Sequence, residues 1–209
     1  MRQKYQLYGV KRIGYFDIEV DNLDPEFGHI LTMSLLIREV VPHERIVKQL
    51  NYRIKKEDID SATRKRHSDF DHRIIEQFLL DLKKYEIDMI IVHYGVGWNK
   101  MDIPFLRGRA FLCKLEKLLP PHKTIRYGDT WKMGHIGVKS HSYRLESLSY
   151  VLKIATHKTD ILPTIWNLAK QGDARALDYI MDHNIKDVKI TYQVHKKLEN
   201  FFAIPQTYV

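Results

Sequence analysis

The hydrophobic pattern of the first third of the chain predicts three β-strands. Apolar and β-branched residues dominate 12–20 and 29–39, and the turn sequence Asp-Asn-Leu-Asp-Pro at 21–25 separates them. This arrangement is typical of a hairpin. Residues 45–54 alternate apolar and polar positions, as a third strand does. We therefore expect antiparallel strands at the start of the chain.

Beyond residue 55 the pattern alternates between helical and strand periods. The charged segment 55–66 predicts a solvated loop, and short apolar runs at 88–94 and 124–131 predict two further strands. Apolar residues recur every three or four positions in five segments, which predicts helices at 70–82, 103–118, 145–152, 162–169 and 173–202. Together these elements predict a single α/β domain over residues 1–209, with a mixed five-stranded sheet flanked by helices and a helical C-terminal third.

Charge and cysteine content narrow the class of protein. The formal net charge of +8 favours an acidic partner such as nucleic acid, although a solubilising surface explains it equally well. The one cysteine, Cys113, excludes internal disulfides and a cysteine-based zinc cluster. The N-terminus has no apolar signal-peptide segment, and the apolar stretch at 30–37 is too short to span a bilayer. We expect a soluble intracellular protein without a membrane partner.

Two acidic residues lie near the end of the first predicted strand. Asp17 and Glu19 are two positions apart and face the same side, whereas Phe16 and Ile18 face the core. Neighbouring carboxylates repel each other unless a cation lies between them. Hard oxygen ligands of this kind suit Mg²⁺ or Mn²⁺. The pair indicates a metal site, although a strand end emerging into solvent would carry acids too.

A third acid follows a loop that contains two glycines, at residues 93–101. Asp102 precedes a predicted helix, and Pro104 suits the first turn of that helix. Asp102 fits either a metal ligand or a simple N-cap. Within the loop, the rings of Tyr94 and Trp98 fit either stacking on nucleotide bases or covering the core.

The last predicted helix carries a histidine and an acid on one face. His183 and Asp187 are four residues apart and therefore point the same way. A histidine beside a metal-bound carboxylate can deprotonate water. The alternative is an ordinary surface pair that contributes about 0.2–0.5 kcal/mol.

These three segments, in this order and at this spacing, resemble the motifs of the DEDD (DnaQ-like) 3′–5′ exonucleases, which share the fold of ribonuclease H. The segments 16–19, 99–107 and 183–187 are similar to the first, second and third motifs. The likeness is greatest to the proofreading domain of family B DNA polymerases and to related stand-alone nucleases. Asp129 and the segment 143–148 resemble the stretch before the third motif, so the resemblance extends over about residues 12–198.

One position departs from the family pattern. Family members carry a tyrosine at one spacing, or a histidine at another, before the last aspartate. This chain has His183 at the tyrosine spacing, Asp182 at the place of the histidine, and Tyr179 one turn further back. The resemblance therefore carries over the four acids and leaves His183 or Tyr179 as the residue that activates water. We favour His183.

The resemblance implies hydrolysis of nucleic acid from its 3′ end, with DNA favoured over RNA. The four acids would hold two Mg²⁺ or Mn²⁺ ions, and His183 would accept the proton of the attacking water. The residues expected to bind the terminal nucleotide are Tyr94, Trp98 and Asn99. Because the chain ends at Val209, soon after the last predicted helix, we expect a stand-alone nuclease. A polymerase or another replication or repair protein in trans is the expected partner.

Two other functions fit the same residues. An endonuclease of the ribonuclease H or resolvase type would keep the fold and the metals but release internal nicks instead of mononucleotides. A nucleic-acid-binding module that has lost turnover would also fit the altered third motif. Retention of all four acids argues against this second alternative.

Overall fold

Six strands and seven helices make up the described part of the chain. The computed structural model describes residues 9–65, 69–97, 100–156, 160–201 and 206–207. The strands are β1 (Arg12–Val20), β2 (Ile30–Glu39), β3 (Arg45–Arg53), β4 (Met89–Val92), β5 (Arg126–Asp129) and β6 (Gln206–Thr207). The helices are α1 (Lys56–Lys65), α2 (His72–Lys84), α3 (Asp102–Leu112), α4 (Thr130–Gly137), α5 (Leu145–Val151), α6 (Pro163–Lys170) and α7 (Ala174–Leu198), with a 3₁₀ turn at Glu116–Leu118. None of the helices in these ranges combines the length and apolar character that a membrane span requires.

The strands form one mixed sheet in the order β3-β2-β1-β4-β5-β6. The first three strands are antiparallel, and β4 and β5 continue the sheet parallel to β1. The two-residue β6 pairs antiparallel with β5 at the edge. The predicted α/β class and mixed five-stranded sheet are confirmed, with β6 as a short addition.

The charged segment predicted as a loop contains a helix instead. Helix α1 begins at Lys56 and carries Glu57 and Asp58 in its first turn, where negative charge interacts favourably with the helix dipole. The Asp58 carboxylate accepts a hydrogen bond from the Lys55 backbone N–H at 2.8 Å and pairs with Arg73 at 2.7 Å. The pairing with Arg73 exists only in the folded structure. The polar composition of the segment alone therefore did not indicate a helix.

Alternate residues of β1 enter two different cores. Phe16 and Ile18 pack in the core that lies against α2 and α3, whereas Ile13 and Tyr15 pack in the core beneath α4, α5 and the second half of α7. Asp17 and Glu19 lie on the same face of β1 as Ile13 and Tyr15. The sheet geometry therefore directs both acids toward α7.

A buried network joins the C-terminal end of α7 to the sheet. Arg38 on β2 donates hydrogen bonds to both carboxylate oxygens of Glu199, at 2.9 and 3.1 Å, and to the Tyr15 hydroxyl at 3.1 Å. The Tyr15 hydroxyl also lies 2.7 Å from Nδ1 of His195. All four side chains are buried. Loss of one partner from a buried ion pair costs about 3–5 kcal/mol, so this clamp holds α7 in a fixed register on the sheet.

A second buried ion pair anchors α3. Arg109 donates to both oxygens of Asp71, at 2.9 and 2.7 Å, and to the carbonyl of Pro25 at 3.1 Å. Asp71 also accepts a bond from the backbone N–H of Ile30 at 3.0 Å. These contacts tie α3 to the start of β2 and to the start of α2. The helix that begins at Asp102 is thereby fixed relative to the sheet.

Candidate active site

The acids at the end of β1 meet polar side chains of α7. Asn184, which is buried, donates a hydrogen bond from Nδ2 to Oδ2 of Asp17 at 2.6 Å. Nε2 of His183 lies 3.8 Å from Oε1 of Glu19 and 3.5 Å from Oδ2 of Asp187. The strand and the helix thus bring together residues more than 160 positions apart in the chain.

Asp102 enters the site from α3. It is the first residue of that helix, and the N-cap position belongs to Met101, which makes no side-chain capping bond. The Asp102 side chain is buried, and its Oδ2 atom has no hydrogen-bond partner among the described residues. Gly95 packs directly against this oxygen, where a Cβ would clash with it. Helix capping therefore does not explain why an aspartate stands at position 102.

Asp129 organises the loop beside Asp102. Its buried carboxylate accepts hydrogen bonds from the backbone N–H groups of Tyr94 at 2.9 Å and Val96 at 3.3 Å. The same carboxylate caps α4 by accepting from the N–H of Trp131 at 2.9 Å. Asp129 is thus a positioning residue that links the loop, α4 and the acidic site.

Mutual repulsion and burial shape the ionisation of the acids. Burial raises the pKa of Asp17 well above its ordinary range, and the charges of Asp102, Glu19 and Asp187 raise it further. The hydrogen bond from Asn184 opposes this rise. Burial, together with the charge of Asp129, raises the pKa of Asp102 to about 8. The charges of the other three acids thus all reach Asp17, and we call these four residues the acidic cluster.

The donor set fits divalent metal ions. Ligand atoms of Glu19, His183 and Asp187 all lie within 4.8 Å of one another. The buried Oδ2 of Asp102 has no hydrogen-bond donor among the described residues, which is the expected state of an oxygen that serves as a ligand. Four carboxylates supply the hard oxygen ligands that Mg²⁺ and Mn²⁺ prefer. A cation would also relieve the repulsion that raises the pKa of Asp17.

The remaining predicted residues fall into two groups. Asp182 pairs with Lys186 at 2.6 Å on the exposed side of α7, and the Tyr179 hydroxyl donates to the carbonyl of Asp160 at 3.2 Å. Neither side chain makes a described contact with the acids. Tyr94 is partly exposed on the loop next to Asp102. The predictions for Trp98 and Asn99 concern positions outside the described residues.

Asn184 is a site residue that the sequence interpretation did not identify. An asparagine within a helix carries no pattern of its own, and its contact with Asp17 spans 167 positions. Its place directly after His183 was the only available signal. The structure assigns it the orientation of Asp17, because its amide fixes one carboxylate oxygen.

Without metal, the stability of the protein should depend on pH through these acids. The pKa of Asp102 is about 8 in the folded protein, against about 3.9 for an unperturbed aspartate. The folded state therefore binds this proton more tightly, and the stabilisation present below about pH 4 is lost as the pH rises through 8. In EDTA, Asp102→Asn should unfold at a higher temperature than wild type at pH 8–9. The expected shift is about 2–4 °C for each kcal/mol gained in the free energy of unfolding.

Thermal melts followed by circular dichroism between pH 5 and 9 would measure this difference. The gap between the variant and wild type should narrow toward pH 5, and Mg²⁺ or Mn²⁺ should raise the melting temperature of wild type more than that of the variant. Parallel curves across the whole range would contradict the raised pKa of the buried Asp102.

Comparison with known protein families identifies the superfamily to which the chain belongs. The sequence model of the RNase H superfamily matches residues 14–199. No curated protein matches the chain. The matched range includes every residue of the acidic cluster, from Asp17 on β1 to Asp187 on α7.

Proposed function

Since the chain belongs to the RNase H superfamily, we propose that it is a metal-dependent 3′–5′ exonuclease that hydrolyses phosphodiester bonds of nucleic acid. Membership of the superfamily by itself suggests nuclease-type activity and a nucleic-acid substrate. The finer proposal rests on the motifs at 16–19, 99–107 and 183–187, which resemble those of the DEDD exonucleases. The same resemblance favours DNA over RNA.

One observation carries the proposal. Three separate elements bring carboxylates to one place, and ligand atoms of Glu19, His183 and Asp187 there lie within 4.8 Å of one another. Asp17 and Glu19 come from β1, Asp102 from α3 and Asp187 from α7. A fold gains no stability by collecting buried and half-buried like charges, because each adds repulsion and desolvation. The cluster is therefore best explained by a function that uses cations.

Each residue of the site has a distinct role in the proposed reaction. Asp17, Glu19, Asp102 and Asp187 would hold two Mg²⁺ or Mn²⁺ ions, which when bound lower the pKa of water and offset negative charge on the scissile phosphate. His183 is the proposed acceptor of the proton from water, since its Nε2 faces the carboxylates of Glu19 and Asp187.

Positioning residues support these roles. Asn184 holds the carboxylate of Asp17 in one orientation through its 2.6 Å hydrogen bond. Asp129 holds the loop that packs against Asp102. The terminal nucleotide is proposed to contact Tyr94, together with Trp98 and Asn99.

Cleavage products test the proposal directly. Single- and double-stranded DNA and RNA, each labelled at the 5′ end, are incubated with Mg²⁺, Mn²⁺ or EDTA. DNA should be shortened stepwise with either metal, faster than RNA, and should remain intact in EDTA. A 3′-label should be released as a mononucleotide. An oligonucleotide with phosphorothioate linkages at its 3′ end serves as the matched control and should resist degradation.

Circular single-stranded DNA separates the proposal from its rival. A 3′–5′ exonuclease leaves the circle intact, because the circle has no end. Nicks in the circle, or internal fragments from a linear strand, would instead establish an endonuclease. Absence of cleavage with every substrate and both metals would overturn the nuclease proposal.

A further inference from the structure

A groove with an apolar floor lies between the last turns of α2 and the segment that leads into β5. Its volume is about 490 Å³, within the range of cavities that hold a ligand. Buried aliphatic side chains form the floor: Leu79, Leu82, Ile87 and Ile125. Half-buried or exposed apolar side chains form the walls: Leu80, Leu118, Leu119, Pro120 and Pro121. We call this feature the α2 groove.

The α2 groove leaves apolar surface uncovered. Leu80 is 45% exposed, although α2 buries its other aliphatic and aromatic side chains in the core. A single exposed leucine is ordinary. Here, however, Leu80 shares one concave surface with Leu118, Leu119 and two prolines. A contiguous apolar surface with a polar rim is typical of a site that binds another protein.

The wall opposite α2 is fixed in the free protein. Pro120 and Pro121 restrict the backbone of this wall. Thr124 donates to the carbonyl of Pro121 from its hydroxyl at 2.6 Å and from its backbone N–H at 3.1 Å. The N–H of Arg126 donates to the carbonyl of Asp88 at 3.0 Å and ties the segment to the start of β4. A preformed groove loses little conformational entropy when a ligand binds.

Positive charge surrounds the α2 groove. Lys83 and Lys117 line it, and within the part of the chain that the structure describes neither pairs with a carboxylate. Glu86 also lines the groove, but its carboxylate pairs with Arg12 at 3.2 Å. The two segments that form the groove carry three more exposed lysines: Lys84, Lys114 and Lys123. The rim therefore attracts an occupant that has negative charges beside its apolar groups.

We propose that the α2 groove binds a peptide segment of another protein that combines large apolar side chains with acidic ones. The apolar side chains contact the aliphatic floor, and the carboxylates contact the lysines of the rim. A second copy of this chain is a poor occupant, because two basic rims would repel each other. Nucleic acid is also a poor occupant, since the described lining residues include no aromatic ring on which a base could stack.

The α2 groove lies at the opposite end of the sheet from the acidic cluster. Ile87 and Ile125 precede the parallel strands β4 and β5. On β1, Ile13 is level with Met89 at the start of β4, and Glu19 lies six residues further along, about 20 Å away. A peptide in the groove would leave the acidic cluster open to substrate. The groove thus suits attachment of this protein to a partner, whatever reaction the acidic cluster performs.

Selection from a peptide library tests this inference. Phage that display random dodecapeptides are selected on wild type, and sequencing identifies the peptides that are enriched relative to selection on Leu80→Gln. The enriched peptides should carry at least two large apolar residues and a net negative charge. A synthetic, fluorescently labelled peptide of this kind should bind wild type in an anisotropy titration, with a Kd that rises with salt.

Variants of the wall and of the rim should weaken binding of that peptide. Leu80→Gln should raise the Kd by about 3- to 10-fold, which corresponds to the part of the leucine that is still exposed in the free protein. Lys83→Gln combined with Lys117→Gln should raise the Kd and reduce its dependence on salt. Leu168 on α6 is the matched control at 44% exposure, and Lys48 is exposed on β3. Leu168→Gln and Lys48→Gln should leave the Kd unchanged.

The site of binding is mapped on the ¹⁵N-labelled protein. Amide shifts caused by the peptide should be confined to residues 79–87 and 114–125. The inference is overturned if no peptide is enriched over Leu80→Gln, if the enriched peptides are basic or lack apolar residues, or if the shifts lie elsewhere. A dimer of wild type in sedimentation experiments that Leu80→Gln abolishes would assign the groove to a second copy and would equally refute the inference.

The outcomes separate this inference from the proposed function. Leu80→Gln should cleave nucleic acid at the wild-type rate, because the groove is remote from the acidic cluster. If wild type cleaves no substrate but binds the acidic peptide in the groove, the inference stands and the nuclease proposal fails. If wild type cleaves nucleic acid but the groove selects no acidic peptide, the nuclease proposal stands and the inference fails.

Discussion

Asp17→Asn is expected to lower the rate of nucleic-acid cleavage by about 10³-fold or more. The change removes the charge that a cation needs while keeping the size of the side chain. The oxygen of the new amide can still accept the hydrogen bond from Asn184 that holds Asp17 at 2.6 Å. The protein should therefore stay folded, and the loss should appear in kcat. Asp102→Asn and Asp187→Asn should behave in the same way.

The control for this experiment lies on the same helix. Asp182 is exposed and pairs with Lys186, so Asp182→Asn should retain the wild-type rate. In EDTA, Asp17→Asn should be at least as stable as wild type at neutral pH, since burial and three neighbouring acids raise the pKa of Asp17. Full activity of Asp17→Asn with Mg²⁺ would rule out the metal-based mechanism. Unfolding of the variant would indicate a structural role for the acid.

His183→Ala is expected to lower the cleavage rate by about 10²- to 10⁴-fold, the range for loss of a general base. Nε2 of His183 lies within 3.5–3.8 Å of the carboxylates of Asp187 and Glu19, the proposed metal ligands. His183→Tyr should recover part of the rate, because it recreates the tyrosine spacing of the family that the motif resembles. Single-turnover kinetics would measure the chemical step in each variant.

Tyr179→Phe is the matched comparison for the histidine variants. Its hydroxyl donates to the carbonyl of Asp160 rather than to the acids, so its removal should change the rate little. The opposite result, with a large loss in Tyr179→Phe and a mild one in His183→Ala, would transfer the role to the tyrosine. Near wild-type rates in both would leave water activation to the metal ions.

Strand β1, which carries Asp17 and Glu19, could be predicted because the alternation of side chains along a strand is enough to define it. Alternation along 12–20 separates the core residues Phe16 and Ile18 from Asp17 and Glu19, and β1 spans Arg12–Val20 as expected. The long helix was predictable for a similar reason, since apolar positions recur through α7. The pairing of His183 with Asp187 follows from helical spacing alone.

Helix α4 and the role of Asn184 could not be predicted from the hydrophobic pattern of the sequence. The apolar run at 124–131 predicts a strand to its end, but the Asp129 side chain caps a helix that begins at Thr130. That helix contains Gly134, which intrinsic propensity disfavours, and its packing against Leu148 allows no larger side chain without displacement. The packing of Gly134 against Leu148 and the contact of Asn184 with Asp17 both join residues distant in the chain, which the local pattern does not encode.

The length of α7 between Asp187 and His195 is constrained by the features at its two ends. Asp187 belongs to the acidic cluster, and His195 belongs to the clamp with Tyr15. Each added or deleted residue would rotate one end relative to the other by about 100°. Either the ligands or the clamp would then face the wrong direction. We expect this eight-residue interval to tolerate substitution on its outer face but no change in length, so insertions in functional variants would be confined to segments outside it.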